Sequence, residues 1–418
     1  MASLLITHAA QLVTPCGRTA RHGREMDAVR IVEDAALYAQ DGVITAIGTA
    51  EELRSREATA DTVVDARGKC LLPGFVDSHT HFLFAGYRAE EFMLRLQGAT
   101  YLELMKTGGI RRTVQDTRAA SGDTLYMLGY ERLTELLRQG VTTAEGKSGY
   151  GLDRETELRQ LRIQRRLNRD HAVSVVNTFL GAHAVAQEYE GNADGYIDWI
   201  IETVLPEVCR EQLAEFCDVF CETGVFSTEQ SEKLLRAAGA LGLGLKIHAD
   251  EINPLGGAEL AAELGAASAD HLLAVSDAGI KRLAAGNTVA TLLPLTAFCL
   301  RQPYAPARRM IDSGCAVALA SDYNPGSCFT GSIPLLLALA VMQMQMTAPE
   351  ALTALTLNGA AALGRADSIG SLEVGKRADC LLLQYPDYRF LFYHTGMNLV
   401  DTVFIAGETA FAQKGDNE

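Results

Sequence analysis

The chain has 418 residues, with 52 acidic against 37 basic side chains and a formal charge of −15. That length suits two or three average domains, or one large α/β barrel with an attachment. Hydrophobic residues at 48% and charged ones at 21% exclude disorder, collagen and coiled coil, and a pI near 5.1 leaves no basic footprint for nucleic acid.

The longest apolar stretches, such as Ile333 to Met342, fall short of the ~20 residues of a membrane span, so no membrane partner is expected. The opening MASLLITHAAQLVTP has no basic region or cleavage site and does not read as a signal peptide. The nine cysteines are scattered without CxxC spacing, which points to a reduced, cytoplasmic protein. Cys217 and Cys221, four apart in an apolar run, read as small buried hydrophobes rather than soft metal ligands.

Along the chain, residues 1–70 hold short alternating runs (ITHAAQLVT, AALYAQDGVITAIGTA, DTVVDARGK) broken by turn residues, which predict strands. LPGFVDSHTHF (72–82) then opens a series of eight apolar, often β-branched runs. The others are GVTTAEGKSG (140–149), VSVVNTFLGAH (173–183), FCDVFCETG (216–224), LGLKIHADE (243–251), ASADHLL (267–273), NTVATLLP (287–294) and AVALASDYNPG (316–326). Segments between them, such as TLYMLGYERLTELLRQG and SEKLLRAAGALG, have apolar residues at helical spacing and close on Gly. Eight strand-helix units predict a (β/α)8 TIM barrel over residues 71–364. GSLEVGKRADCLLLQYPD and DTVFIAGETAF return to the style of the N-terminus, so residues 1–70 and 365–418 are expected to meet as one small composite β-sandwich.

In such a barrel the active site lies at the C-terminal strand ends. His79 and His81 close the first run and, at a period of two, share a face. His248 ends the fifth run. Asp322 ends the eighth, in phase with Ala316, Ala318 and Ala320, a face of small residues suited to a crowded interior. Three imidazoles and one carboxylate without thiolates suit Zn²⁺ or Fe²⁺ with a position left for water, whose pKa such an ion lowers toward ~7.

PGFVDSHTH, the His at the fifth strand, the Asp at the eighth and the tail SLEVGKRADCLLL resemble the amidohydrolase superfamily. EGKSGYGL (145–152), LGAH (180–183), HADEINPLGGAELAAELGAASADHL (248–272) and SDYNPGS (321–327) resemble, within it, the imidazolonepropionase family. The resemblance implies hydrolysis of the ring amide C–N bond of 4-imidazolone-5-propanoate, a small-molecule substrate, to N-formimidoyl-L-glutamate. It implies His79, His81, His248 and Asp322 as ligands of one Zn²⁺ or Fe ion per subunit, and a homodimer. The fourth run has no lysine to bridge two metals, and Lys147 stands on the second, so the site is expected to be mononuclear.

The same resemblance assigns Arg88 to the substrate carboxylate, with Tyr150 and His183 on the ring or the carboxylate. Asn324, Gly326 and Ser327 are expected to serve the other end of the substrate or product. Glu251 is expected to orient the ring nitrogens and shuttle a proton, His271 to polarise the carbonyl, and Asp322 to accept a proton from the attacking water. The alternative is another cyclic amidase, or an aromatic deaminase, of the same superfamily.

Overall fold

The computed structural model describes residues 3–98 and 108–413. Its first strands are β1 (Ser3–Pro15), β2 (Val29–Gln40), β3 (Val43–Thr49), β4 (Thr62–Asp65) and β5 (Cys70–Pro73). Eight more follow in alternation with helices: β6 (Phe75–Asp77), β7 (Val141–Lys147), β8 (Ser174–Ala182), β9 (Phe216–Cys221), β10 (Gly244–Ala249), β11 (Ser268–His271), β12 (Val289–Leu292) and β13 (Val317–Leu319). The chain ends on β14 (Cys380–Leu383), β15 (Val400–Ile405) and β16 (Glu408–Ala412).

β6 to β13 form one eight-stranded sheet in sequence order, every pair parallel. All eight expected runs supply a strand. The sheet closes into a barrel just beyond the ends of its outer strands: Asp322 N donates to His79 O at 2.9 Å and His81 N to Tyr323 O at 3.0 Å. Asp77 tightens this seam by accepting from Ser321 N at 2.9 Å and from its hydroxyl at 2.6 Å. Outer helices start where the sequence offers caps: Ser121, Asp153 and Ser227 accept from the backbone three residues on, satisfying donors that a helix start leaves free. Their leucines turn to the strands, among them Leu133, Leu161 and Leu234. Leu357–Ala362 covers the strand beginnings. Leu357 and Ala360 cluster with Val176 and Phe216, and Ala362 with Val289, Ala316 and Ala318, the small-residue face read from the sequence.

The terminal strands form the second sheet, in the order β16-β15-β14-β5-β1-β2-β3 with β4 also beside β1. The expected composite sandwich takes the form of one continuous sheet. Long β1 makes this possible: β2 runs along one edge with a bulge between Ile6 and Ala9, while β4 and β5 share the other. Ile44 on β3 and Phe404 on β15 stand near opposite ends of the strand order, yet both join Leu12, Leu37, Leu71 and Leu382 in one core. The sheet therefore curls over on itself.

The run 72–82 divides between the two sheets. Leu72 and Pro73 pair with β14, while Phe75 opens the barrel. Gly74 is the crossing point, where a Cβ would lie 2.3 Å from the Thr142 hydroxyl. Among the described residues no helix is long and apolar enough to cross a membrane.

Candidate active site

The closing seam of the barrel carries the chemistry. His79 and His81 follow β6, and Asp322 follows β13, its backbone in the left-handed region at φ 53°. That turn brings Asp322 Oδ1 to 3.6 Å from Nε2 of both His79 and His81. His248, from β10, places its Nε2 3.3 Å from Nε2 of His81. One nitrogen from each of the three imidazoles falls within 4.8 Å of the others. Nε2 of His79 is enclosed and has no hydrogen-bond partner, which a buried polar atom rarely tolerates. Thr296, just past β12, donates to Asp322 Oδ2 at 2.6 Å and leaves Oδ1 facing the imidazoles. Three converging nitrogens, a carboxylate oxygen and no thiolate fit a divalent cation of the Zn²⁺ or Fe²⁺ type.

Beneath this set lies a layer of buried charges that the sequence reading did not single out. Asp270 Oδ2 is 2.6 Å from His79 Nδ1, and Asp218 Oδ2 is 3.0 Å from His248 Nδ1. Such carboxylates fix the orientation and tautomer of ligating imidazoles. Lys147 does not reach the mouth; its Nζ lies 2.6 Å from Asp218 and 3.1 Å from Glu145. Lys246 Nζ donates to Glu145 Oε2 at 2.8 Å and to Ser78 O at 3.0 Å. Burial pulls the His248 imidazole down, but Asp218 outweighs it and the net shift is upward. Burial disfavours the Lys147 ammonium too, and Asp218, Glu145 and Asp270 together raise it. The available signal was phase: Lys246 stands two residues before His248, and Glu145 and Lys147 share a face of β7.

The remaining expected residues divide into two groups. His271, His183 and Tyr150 gather round the imidazoles. The His271 ring centroid is 5.1 Å from His248 and 5.3 Å from His79, and neither of its nitrogens has a hydrogen-bond partner. His183 stacks on His81 at 4.8 Å and 14°, with Nδ1 3.1 Å from Gly149 O. Burial holds His79, His81 and His271 well below the usual imidazole range and brings His183 down to about 3. Tyr150 lies 5.3 Å from His183 and 5.9 Å from His81. Glu251 Oε1 stands 3.7 Å from His271 Nδ1. Burial, with help from the Asp322 charge, pushes its carboxyl up to about 8, and burial pushes Asp322 to about 6.

Arg88 and the 324–327 turn form the second group. Arg88 grips Glu91 through Nε at 2.9 Å and through Nη2, and packs so tightly on Gly326 that a Cβ there would lie 2.2 Å from Nη1. Asn324 Oδ1 accepts from Gly326 N and Ser327 N, each at 2.8 Å, and its Nδ2 donates to Asp322 O and Ser327 Oγ, each at 2.7 Å. These polar groups are spent within the turn, so the turn shapes the backbone beside Asp322 and Arg88. The loop carrying Glu251 has a support the sequence did not reveal. Glu222, at the end of β9, accepts from Ile252 N at 2.8 Å and from Asn253 N and Nδ2 at 3.2 and 2.9 Å.

Two models of the amidohydrolase family match residues 62–145 and 209–410. The imidazolonepropionase of Parabacteroides distasonis is 60% identical over 97% of this chain and 98% of its own. That of Clostridium tetani is 54% identical, covering 98% of each. The chain belongs to the imidazolonepropionase family. Solved structures more distant than this family share the fold: an adenosine deaminase from Xanthomonas campestris with bound zinc has a TM-score of 0.73 at 20% identity, covering 99% of this chain and 93% of its own. A guanine deaminase from C. acetobutylicum with bound guanine has a TM-score of 0.72 at 15% identity, covering 98% and 100%. At such identities the likeness concerns the fold alone, whereas imidazolonepropionase relatives match throughout the chain.

Proposed function

We infer that this chain is an imidazolonepropionase, hydrolysing the ring amide C–N bond of 4-imidazolone-5-propanoate to N-formimidoyl-L-glutamate in histidine degradation. The observation that carries the substrate is 60% identity to a named imidazolonepropionase over 97% of the chain. His79, His81, His248 and Asp322 would hold one Zn²⁺ or Fe ion per subunit. Such an ion, when bound, lowers the pKa of water and polarises carbonyls.

The chain's own residues supply the rest. The Arg88 guanidinium binds the propanoate, its fork suited to a carboxylate. The exchange of Glu91 for the substrate carboxylate is the electrostatic step on binding. Tyr150 and His183 flank the ring. Asp322 takes the proton of the attacking water, while Thr296 holds its Oδ2. Glu251, whose burial raises its carboxyl toward the protonated form, carries the proton needed by the departing ring nitrogen. His271 stays neutral; with Nδ1 toward Glu251, its Nε2 is free to donate to the developing oxyanion. All nine cysteines are free thiols, which supports a cytoplasmic setting; the family resemblance supports a homodimer.

The test is the ultraviolet decay of 4-imidazolone-5-propanoate, generated from urocanate with urocanase, beside a His248→Ala variant and corrected for spontaneous decay. Metal-dependent acceleration that yields formimidoylglutamate and vanishes in the variant is expected. A folded, metal-replete protein giving no acceleration overturns the substrate.

A further inference from the structure

A second set of potential ligands lies within the barrel. His79, Glu145 and Asp270 bring one ligating atom each within 4.8 Å of one another, as close as the imidazoles above them. This lower cluster already holds cations. Lys147 Nζ is 2.6 Å from Asp218 Oδ2, 3.1 Å from Glu145 Oε2 and 3.5 Å from Asp270 Oδ2. Lys246 Nζ is 2.8 Å from Glu145 Oε2 and 3.9 Å from Asp270 Oδ2. All six side chains are fully enclosed. Carboxylates this close in a dry interior require compensating positive charge.

The two lysines are not equivalent. Lys246 also donates to Ser78 O and has no ion pair with Asp218 among the described residues. Lys147 pairs with all three carboxylates. The Asp218 oxygen that it contacts is also the one 3.0 Å from His248 Nδ1, and the Asp270 oxygen is the one 2.6 Å from His79 Nδ1. One ammonium thus stands behind two of the imidazoles that face the mouth.

We propose that the Lys147 ammonium is the resident second cation of this barrel. It takes the place to which Glu145, Asp218 and Asp270 would otherwise draw a second divalent ion, so only one ion binds, at the mouth. It is also a positioning residue, steadying Asp218 and Asp270 beneath His248 and His79 so that each Nε2 stays directed outward. This rests on reading His79, His81, His248 and Asp322 as a cation site.

Chelator-stripped wild type, Lys147→Ser and Lys147→Met are titrated with Co²⁺. Bound ions per chain are read by elemental analysis after gel filtration, and affinity by competition with a chromogenic chelator. Wild type is expected to saturate at one ion. Lys147→Ser, which vacates both space and charge, is expected to take up two. Lys147→Met, which fills the space without the charge, is expected to hold one ion about tenfold more weakly or worse. Wild type saturating at two ions overturns the proposal, as does a folded Lys147→Ser that binds one ion with wild-type affinity. If Lys147→Ser folds only poorly without metal, restoration of its thermal unfolding temperature by added Co²⁺ supports the proposal, and no restoration overturns it. A wild type that binds no ion overturns the cation reading of the mouth itself. One ion in both wild type and Lys147→Ser, bound alike, overturns only the role of Lys147.

Discussion

Asp270 Oδ2 lies 2.6 Å from Nδ1 of His79, with both side chains fully enclosed by the barrel. The contact commits Nδ1 to the carboxylate and turns Nε2 toward Asp322. Replacing Asp270 by Asn keeps the shape and removes the charge. Metal affinity, measured by chelator competition, is expected to fall by about 10- to 100-fold. An unchanged affinity would show that the imidazole needs no such anchor.

Glu251 sets a pH dependence of stability. In the unfolded chain its carboxyl ionises near the ordinary 4.5, whereas in the fold burial keeps it protonated up to about 8. Folding therefore takes up a proton in that window, and stability falls as pH rises through it. Glu251→Gln cannot ionise. In metal-free protein its stability relative to wild type is expected to grow from pH 5 to pH 8, by at most about 1.4 kcal/mol per unit, and to level off above. Urea unfolding across that range checks this; a constant difference would refute it.

Gly326 and Arg88 are in contact, and a Cβ at 326 would lie 2.2 Å from Nη1. Gly326→Ala is expected to displace the guanidinium and raise KM by roughly 10- to 100-fold with a smaller effect on kcat, the signature of a lost charged hydrogen bond to substrate. Arg88→Lys is expected to share the effect. Steady-state kinetics with KM unmoved in both would remove Arg88 from the substrate site.

Glu222 holds the backbone of Ile252 and Asn253, next to Glu251. Glu222→Ala is expected to lower kcat by about tenfold or more through misplacement of Glu251, with the metal content unaltered. Loss of the metal together with activity would mean that the damage spreads to His248 instead.

Lys376 stabilises the junction of the two sheets. Its Nζ donates to Gly17 O at 2.7 Å, Ala366 O at 2.6 Å, Ile369 O at 3.3 Å and Ser371 Oγ at 2.6 Å, tying an N-terminal segment to a C-terminal one. Lys376→Met leaves three carbonyls short of a donor and is expected to cost about 3 kcal/mol or more. Denaturant unfolding giving a loss below ~1 kcal/mol would contradict this role.

Much of this protein is written locally. Each barrel strand is a short apolar run bounded by Gly or polar residues, so period and punctuation suffice to count eight of them, and period two places His79 beside His81 on one face. The motifs around His248 and Asp322 are likewise contiguous in the chain. What period and motif leave open is what meets across the barrel. Asp218 reads as one polar residue in FCDVFC, and Asp270 as another in SADH; only closure brings them beneath His248 and His79. Lys147 looks misplaced on the second strand until the third dimension sets it among carboxylates from β7, β9 and β11. The same holds at the chain ends, where alternation predicts strands but only the bulged length of β1 lets one sheet curl over its own core. Local pattern is set by covalent neighbours and hydrophobic period, which the sequence states directly. Charge pairing across the barrel depends on distances of a few ångströms between residues as distant in the chain as His79 and Asp322, and only the folded chain decides those.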